Sequence, residues 1–234
     1  LALEVQERLM EDNVLCSMLT GEEEDIIDGA KHISSTVEKA DYTQHYDVVV
    51  IDECQLIQDD SRGCYWTKAI LGMKAEIMHL CAAPEAEDIL VKIIKDCQEE
   101  YEIIRHVRNT ELIFSKEPFS LKNTQKGDAL VVFSRRSVLS IAEQLSQNGR
   151  KASVIYGALP YKTRKEQLKM FTEGKTDVVV ATDAIGMGLN LPIKRIVFLE
   201  TIKYDGNSTR LLVPWEVKQI AGRAGRRGLY EKGY

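Results

Sequence analysis

The chain has 234 residues, 44% hydrophobic and 29% charged, a balance that excludes disordered and fibrous classes and fits one large or two small globular domains. No apolar stretch approaches the roughly 20 residues that cross a bilayer, so no membrane association is expected. The net charge of −5 hides a division: residues 1–118 carry 11 Lys/Arg and 26 Asp/Glu, net −15, whereas residues 119–234 carry 20 and 10, net +10. That polarity predicts two units, 1–118 and 119–234, with either a polyanion near the second or a mutual attraction of the halves.

Five scattered cysteines without a C-x-x-C pair indicate neither a disulfide framework nor a zinc site, and point to a reducing, cytoplasmic compartment. The four histidines show no ligand spacing. The opening "LALEVQERLMEDN" turns acidic too soon for a signal peptide and lacks an initiating Met, so the chain reads as a fragment of a longer protein.

In chain order, "ALEVQERLMED" has apolar positions at helical spacing, and "VLCSMLTG" reads as a strand. "DVVVID" is a continuous apolar run, the pattern of a buried parallel strand. "SRGCYWTKAILGM" is a predicted helix, "AEIMHLCAAP" a strand, "EDILVKIIKDCQEE" a helix and "YEIIRHVRNTELIF" a further strand region. A connector around "SKEPFSLKNTQKGD" precedes a restart of the pattern. "ALVVFSRR" is a strand; "SVLSIAEQLSQNG" is a helix with Gly149 as its C-terminal cap. "KASVIYGALP" is a strand and loop, and "YKTRKEQLKMFTEG" a basic helix closed by Gly174. The strand of "TDVVVATDAIGMGLNLP", the strand "KRIVFLE" and the helix "PWEVKQIAGRAGRRG", with Pro214 in its first turn, complete the chain. Strands alternating with helices in both halves predict two open α/β units with parallel sheets.

Three strings carry chemistry. "VVVIDECQLI" ends a strand on Asp52 and Glu53. This is either a strand leaving the core, or a site where one carboxylate holds Mg²⁺ and the next activates water. In α/β sheets, ligands gather at that end of the strands. "QIAGRAGRRG" places Arg223 and Arg226 three apart, on one face of a helix, with Gly222 and Gly225 leaving room for a ligand or another backbone. Two forked guanidiniums suit a triphosphate; a basic nucleic-acid patch is the plainer reading. "ATDAIGMGLNLP" offers Thr182 to a backbone phosphate and Asp183 to a ribose hydroxyl or a partner arginine. Gly186 and Gly188 allow phosphate approach or a tight turn. Trp66 and Trp215 read as core or interface residues, and the charges of "YKTRKEQLK" as a solvated helix face.

In this order, the three strings resemble motifs II, V and VI of a superfamily two helicase of DExH/DEAD type. "LVVFSRR" stands where motif IV belongs, "HLCAAPEA" where motif III belongs, and "MLTGEEE" and "HISSTVE" where strand-contacting motifs belong. "ALEVQERL", "VIDECQLIQDDSRGCYWTKAILG", "VIYGALP" and "ATDAIGMGLNLPIKRIVF" look like the mitochondrial degradosome RNA helicase family and its bacterial relatives. The resemblance implies two RecA-like domains, the first truncated at its N-terminus, that use ATP and Mg²⁺ to move or unwind single-stranded RNA, with an exoribonuclease as a possible partner. It makes Asp52 the metal carboxylate and Glu53 the water-activating one. Gln55 would couple motif II to motif VI, Gln219 would face the γ-phosphate, and Arg223 and Arg226 would be arginine fingers. Asp183, Gly186 and Gly188 would join the nucleotide site. Thr182, Ser134, Arg135 and Gly157 would meet RNA.

One departure stands out. The phosphate loop G-x-x-x-x-G-K-[ST] is absent from the 234 residues, and "EGKT" at 173–176 lacks its first glycine and precedes a strand. The chain by itself is therefore expected to be inactive. A non-catalytic nucleic-acid-binding scaffold and a DNA helicase are the competing readings, since the motifs do not separate RNA from DNA.

Overall fold

The computed structural model describes residues 2–108, 110–186, 191–225 and 229–234. They divide into two compact units, Leu1–Arg105 and His106–Tyr234. The division falls before the connector expected at 118/119, because Glu111–Leu112 pairs in parallel with Lys232–Gly233 and so belongs with the second unit.

The first unit opens with α1 (Ala2–Glu11), whose buried Gln6 donates to the Cys16 carbonyl (3.0 Å) and the Asp25 carboxylate (2.7 Å). It packs on a small sheet in which β1 (Cys16–Leu19) pairs antiparallel with β2 (Glu24–Asp25) and parallel with β3 (His32–Ser35). Then come β4 (His45–Ile51), α2 (Gly63–Gly72), β5 (Lys74–Leu80) and α3 (Glu87–Asp96), with β4 and β5 parallel. One face of that pair forms the core: Val49 and Ile51 pack with Trp66, Ala69, Ile70 and Leu90. The continuous apolar run predicted burial on both faces. The pleat instead turns Val48, Val50 and Ile77 to the other face, where they are 51%, 63% and 55% exposed.

The strand expected over 101–114 forms only as β6 (Glu111–Leu112). Residues 101–108 are irregular and exposed, Val107 at 87%. β-branched residues favour a strand only where a neighbouring strand accepts and donates the backbone hydrogen bonds.

The second unit continues with β7 (Asp128–Val131), α4 (Arg135–Gln147), β8 (Ala152–Ile155), α5 (Tyr161–Thr172), β9 (Val178–Ala181) and β10 (Arg195–Phe198). The parallel sheet runs β10–β7–β9–β8. β7 and β9 are buried throughout. Their alternate side chains feed two cores, Val179 and Ala181 into one, Val178 and Val180 into the other, as expected of a parallel sheet covered on both faces. Gly149 and Gly174 take φ of 73° and 70°, the left-handed conformation in which glycine ends a helix without Cβ strain. "EGKT" is thus the exit of α5, not a phosphate loop.

An antiparallel hairpin, β11 (Ile202–Tyr204) and β12 (Thr209–Leu211), leads to α6 (Pro214–Ala221) and then to β13 (Lys232–Gly233), the partner of β6. The helix predicted to run to 228 stops at Ala221. Arg223 therefore lies in a turn, not on a helix face. Gly225 takes φ of 72°, and a Cβ on it would lie 2.5 Å from Thr110 Cγ2 and 2.7 Å from the Gly233 nitrogen. Its missing side chain admits another stretch of backbone. Gly188 and Arg226 lie outside the described residues.

Candidate functional site

In the first unit, the carboxyl end of β4 delivers Asp52 and Glu53 to the surface. Glu53 adopts φ 55°, ψ 37°, a left-handed conformation that costs a residue with a Cβ on the order of 1–2 kcal/mol. The surroundings hold it there. Its N–H donates to Asp52 Oδ1 (2.9 Å), its carbonyl accepts from the Leu56 N–H (2.9 Å), and the next N–H, of Cys54, donates to the Cys81 carbonyl (2.9 Å). Trp66, buried in the core, donates its indole N–H to the Asp52 carbonyl (2.9 Å), so this tryptophan is a brace rather than a stacking platform. Gln55 donates its amide to the Glu53 carboxylate and accepts the Ala83 N–H (3.1 Å). It thereby ties the turn after β4 to the exit of β5. Burial, followed by the Cys81 thiol, pushes the Cys54 thiol up to about 12, so Cys54 is an inert filler under the turn.

In the second unit, the candidate residues also stand at strand carboxyl ends. Ser134 caps α4, its Oγ accepting from the Ser137 N–H (2.9 Å). Arg135 stacks 5.5 Å over the Tyr156 ring, beside Gly157. Thr182 is mostly buried, and its hydroxyl accepts from the Ala184 N–H (3.3 Å). Asp183 opens a short helical turn, Asp183–Gly186, that packs on α6. Arg223 donates from Nε (3.1 Å) and Nη2 (2.5 Å) to the Gly186 carbonyl. A Cβ on Gly186 would lie 3.3 Å from Ile220 Cγ1 and 3.6 Å from Gln219 Cγ, so this glycine lets the turn close on the helix that carries Gln219.

A charge network that sequence reasoning missed binds these pieces. Lys203 on β11 pairs with Asp183 (2.9 Å) and with buried Glu216 on α6 (2.6 Å). Arg210 on β12 reaches the same Glu216 (2.9 Å) and Asp205 (2.9 Å). Burial opposes ionisation of Glu216. The Arg210 and Lys203 bonds and the Val213 N–H outweigh it and hold its carboxyl down at about 2. Burial likewise opposes the charge on Lys203, but its two carboxylates win and raise its pKa. The available signals were the Asp-Gly turn at 205–206 between alternating residues, a hairpin pattern, and Glu216 two places after Pro214, where a first-turn acid caps a helix.

Residues 1–106 match the DEXQ-box helicase domain of Suv3, and residues 109–228 match the helicase conserved C-terminal domain. The chain belongs to the helicase family. Among curated relatives, it is 42% identical over 97% of its length to the DExH-box ATP-dependent RNA helicase DExH18, mitochondrial, of Arabidopsis thaliana, covering 30% of that protein. It is 41% identical over its whole length to ATP-dependent RNA helicase SUV3L, mitochondrial, of Oryza sativa subsp. japonica, covering 33%. It is 38% identical over 97% of its length to ATP-dependent RNA helicase SUV3, mitochondrial, of Saccharomyces cerevisiae, covering 32%. The chain thus spans about a third of the length of these relatives. Among solved structures, S. cerevisiae Dbp5 bound to RNA and ADP BeF3 superposes with a TM-score of 0.69 at 15% identity, over 99% of this chain and 66% of that one. That likeness shows the fold, two RecA-like α/β units.

The relatives' names correct one expectation: they are mitochondrial helicases, not cytoplasmic ones. The cysteine pattern spoke only to disulfides, and reducing conditions are not confined to the cytosol. The match to the first helicase domain ends at 106 and the match to the second begins at 109, in agreement with the compact units and again ahead of 118/119.

Proposed function

We propose that these residues are the core of an ATP-dependent RNA helicase, in which ATP hydrolysis drives movement along single-stranded RNA or its unwinding. The observation that carries the reading is the strained turn at the end of β4. It holds two adjacent carboxylates outside the sheet, with Gln55 bound to the second of them. Left-handed non-glycine residues cluster at functional sites, and Glu53, unlike Asn13 and Gln98, does not follow the end of a helix. The curated relatives are named ATP-dependent RNA helicases.

In this reading Glu53 accepts a proton from the attacking water, and Gln55, bonded to the Glu53 carboxylate, sets the orientation of that carboxylate. Gln219 and Arg223, with Arg226 by sequence pattern, meet the γ-phosphoryl oxygens as their charge grows. Asp52 would hold Mg²⁺, which when bound neutralises phosphate charge. The donor set fits: Asp52 is an exposed oxygen donor at the end of β4, and Mg²⁺ prefers oxygen ligands, keeps several waters and needs only one or two carboxylates. Asp183 and the glycines at 186 and 188 serve the nucleotide side. Ser134, Arg135, Gly157 and Thr182 line the strand ends proposed for RNA, where the positive end of α4 suits a phosphate. Following the relatives' names, we place the protein in mitochondria, and we propose an exoribonuclease as the enzyme that takes the unwound strand. The test is phosphate release and strand displacement by the full-length protein on RNA and on DNA of one sequence. RNA-stimulated turnover that vanishes in Glu53→Gln is the expected result. Absence of turnover in the wild type sinks the reading, and equal stimulation by DNA reassigns the substrate.

A further inference from the structure

We propose that Arg108 is a positioning residue for the turn that carries Arg223, a role that rests on the helicase reading above. Its guanidinium donates from Nη1 to the Gly222 carbonyl (2.8 Å), from Nη2 to the Ala224 carbonyl and from Nε to the Thr110 carbonyl (2.8 Å). Gly222 and Ala224 flank Arg223. One rigid fork therefore fixes the backbone immediately before and after the arginine, 115 positions away in sequence.

The end of a helix leaves its last carbonyls without intrahelical partners and carries partial negative charge. At α6 the turn itself takes three of these, Lys218, Ile220 and Ala221 accepting from the Gly222, Arg223 and Ala224 N–H groups, and Arg108 takes the carbonyls of Gly222 and Ala224 just beyond the helix, still near its negative end. The turn is closed from the other side as well. Gly225 donates its N–H to the Ile193 carbonyl (2.9 Å), and its Cα faces Thr110 and Gly233 with no room for a Cβ. The head of Arg223 is set on the Gly186 carbonyl. Backbone and head of Arg223 are thus fixed by separate contacts, and Arg108 supplies the side-chain share of the backbone part. Arg108 as a whole stays exposed, but the part of its head set against these carbonyls is withdrawn from water, which lowers its pKa.

Arg108 also stands three residues past the division at 105/106. The chain leaving the first unit meets the arginine-bearing turn at this side chain. A change in the path of that chain would reach Arg223 through it.

The experiment compares the full-length wild type with Arg108→Met, which keeps an apolar stem, and Arg108→Lys, which keeps the charge without the fork. Turnover, the KM for ATP, RNA affinity without nucleotide, the melting temperature and hydrogen exchange across 219–225 and 178–181 are measured together. Arg108→Met is expected to lower kcat by about 10- to 100-fold, the scale of a misplaced transition-state contact. Its KM and nucleotide-free RNA affinity should stay within about twofold, because the contact is made late. Exchange should rise at 219–225 and stay protected in β9, and Arg108→Lys should recover little of kcat. Unchanged exchange at 219–225 overturns the clamp. Raised exchange with unchanged kcat overturns the positioning role. Loss of kcat that follows a fall in melting temperature, with exchange rising in β9 too, assigns Arg108 to stability alone and overturns the proposal. A wild type without turnover defeats the helicase reading and the catalytic role with it, whereas the clamp is still decided by exchange.

Discussion

Two strands of this chain carry the same three valines and fare differently. β4 reads Val48-Val49-Val50 and β9 reads Val178-Val179-Val180. In β9 all three are fully buried, because β7 and β8 flank the strand and cores lie on both its faces. In β4 only Val49 is buried, against α2 and α3, while Val48 and Val50 are open. The polar exits differ too. Asp183 after β9 is answered by Lys203 inside an ion network. Asp52 after β4 accepts the N–H of a strained Glu53. The second unit spends its charges on holding its turns in place, whereas the first holds a carboxylate pair out at a strand end. An apolar string specifies a strand; its neighbours decide how much of it is core.

The sharpest way to break this contrast is at the exits. Glu53→Gln in the full-length protein should lower turnover by about 10³-fold or more while ATP binding persists, since glutamine keeps the shape and loses the basic oxygen. A turnover number within a few-fold of wild type would remove Glu53 from the chemistry. Arg226→Ala, predicted from the Q-x-x-G-R-x-G-R pattern alone, should cost a similar factor with nucleotide-free RNA affinity barely changed. If instead RNA affinity and its salt dependence fall while turnover survives, Arg226 belongs to an RNA groove.

The ion network gives the next largest effect. Glu216→Gln strips the carboxylate from Lys203 and Arg210 and should destabilise the second unit by about 3 kcal/mol, read in a denaturant titration. The sign with pH follows from its depressed pKa. The folded value of about 2 lies below the ordinary 4.5, so the contribution is full above about pH 5 and fades as pH falls towards 2. Wild type and variant should therefore converge in stability in acid. A gap that is constant from pH 7 to pH 3 would show that packing, not charge, is lost.

The smallest effect tests the valines themselves. Val180→Ala should cost about 2 kcal/mol, from two lost methyl groups and the cavity they leave. Val50→Ala should stay within about 0.5 kcal/mol. Equal costs would mean that the open face of β4 is covered in the intact protein.

The sequence determined the α/β alternation, most strand and helix placements, the two-unit charge division and the strand-end position of Asp52, Glu53, Thr182 and Asp183. These are local: periodicity sets the element, and an apolar run that ends on carboxylates marks where the chain leaves a parallel sheet. The stop of α6 at Ala221 was decided by tertiary structure, because Gly225 must admit Thr110, 115 positions earlier, together with Gly233 of β13, the strand that pairs with β6. The unit boundary shifted for the same reason, the β6–β13 pairing drawing 106–118 into the second unit. The brace of Trp66 on Asp52, the answer of Lys203 to Asp183 and the clamp of Arg108 across 115 positions each need two side chains or backbones that no short window contains. A window reads what a residue prefers; which distant carbonyl or carboxylate will satisfy it is settled only when the sheets are built.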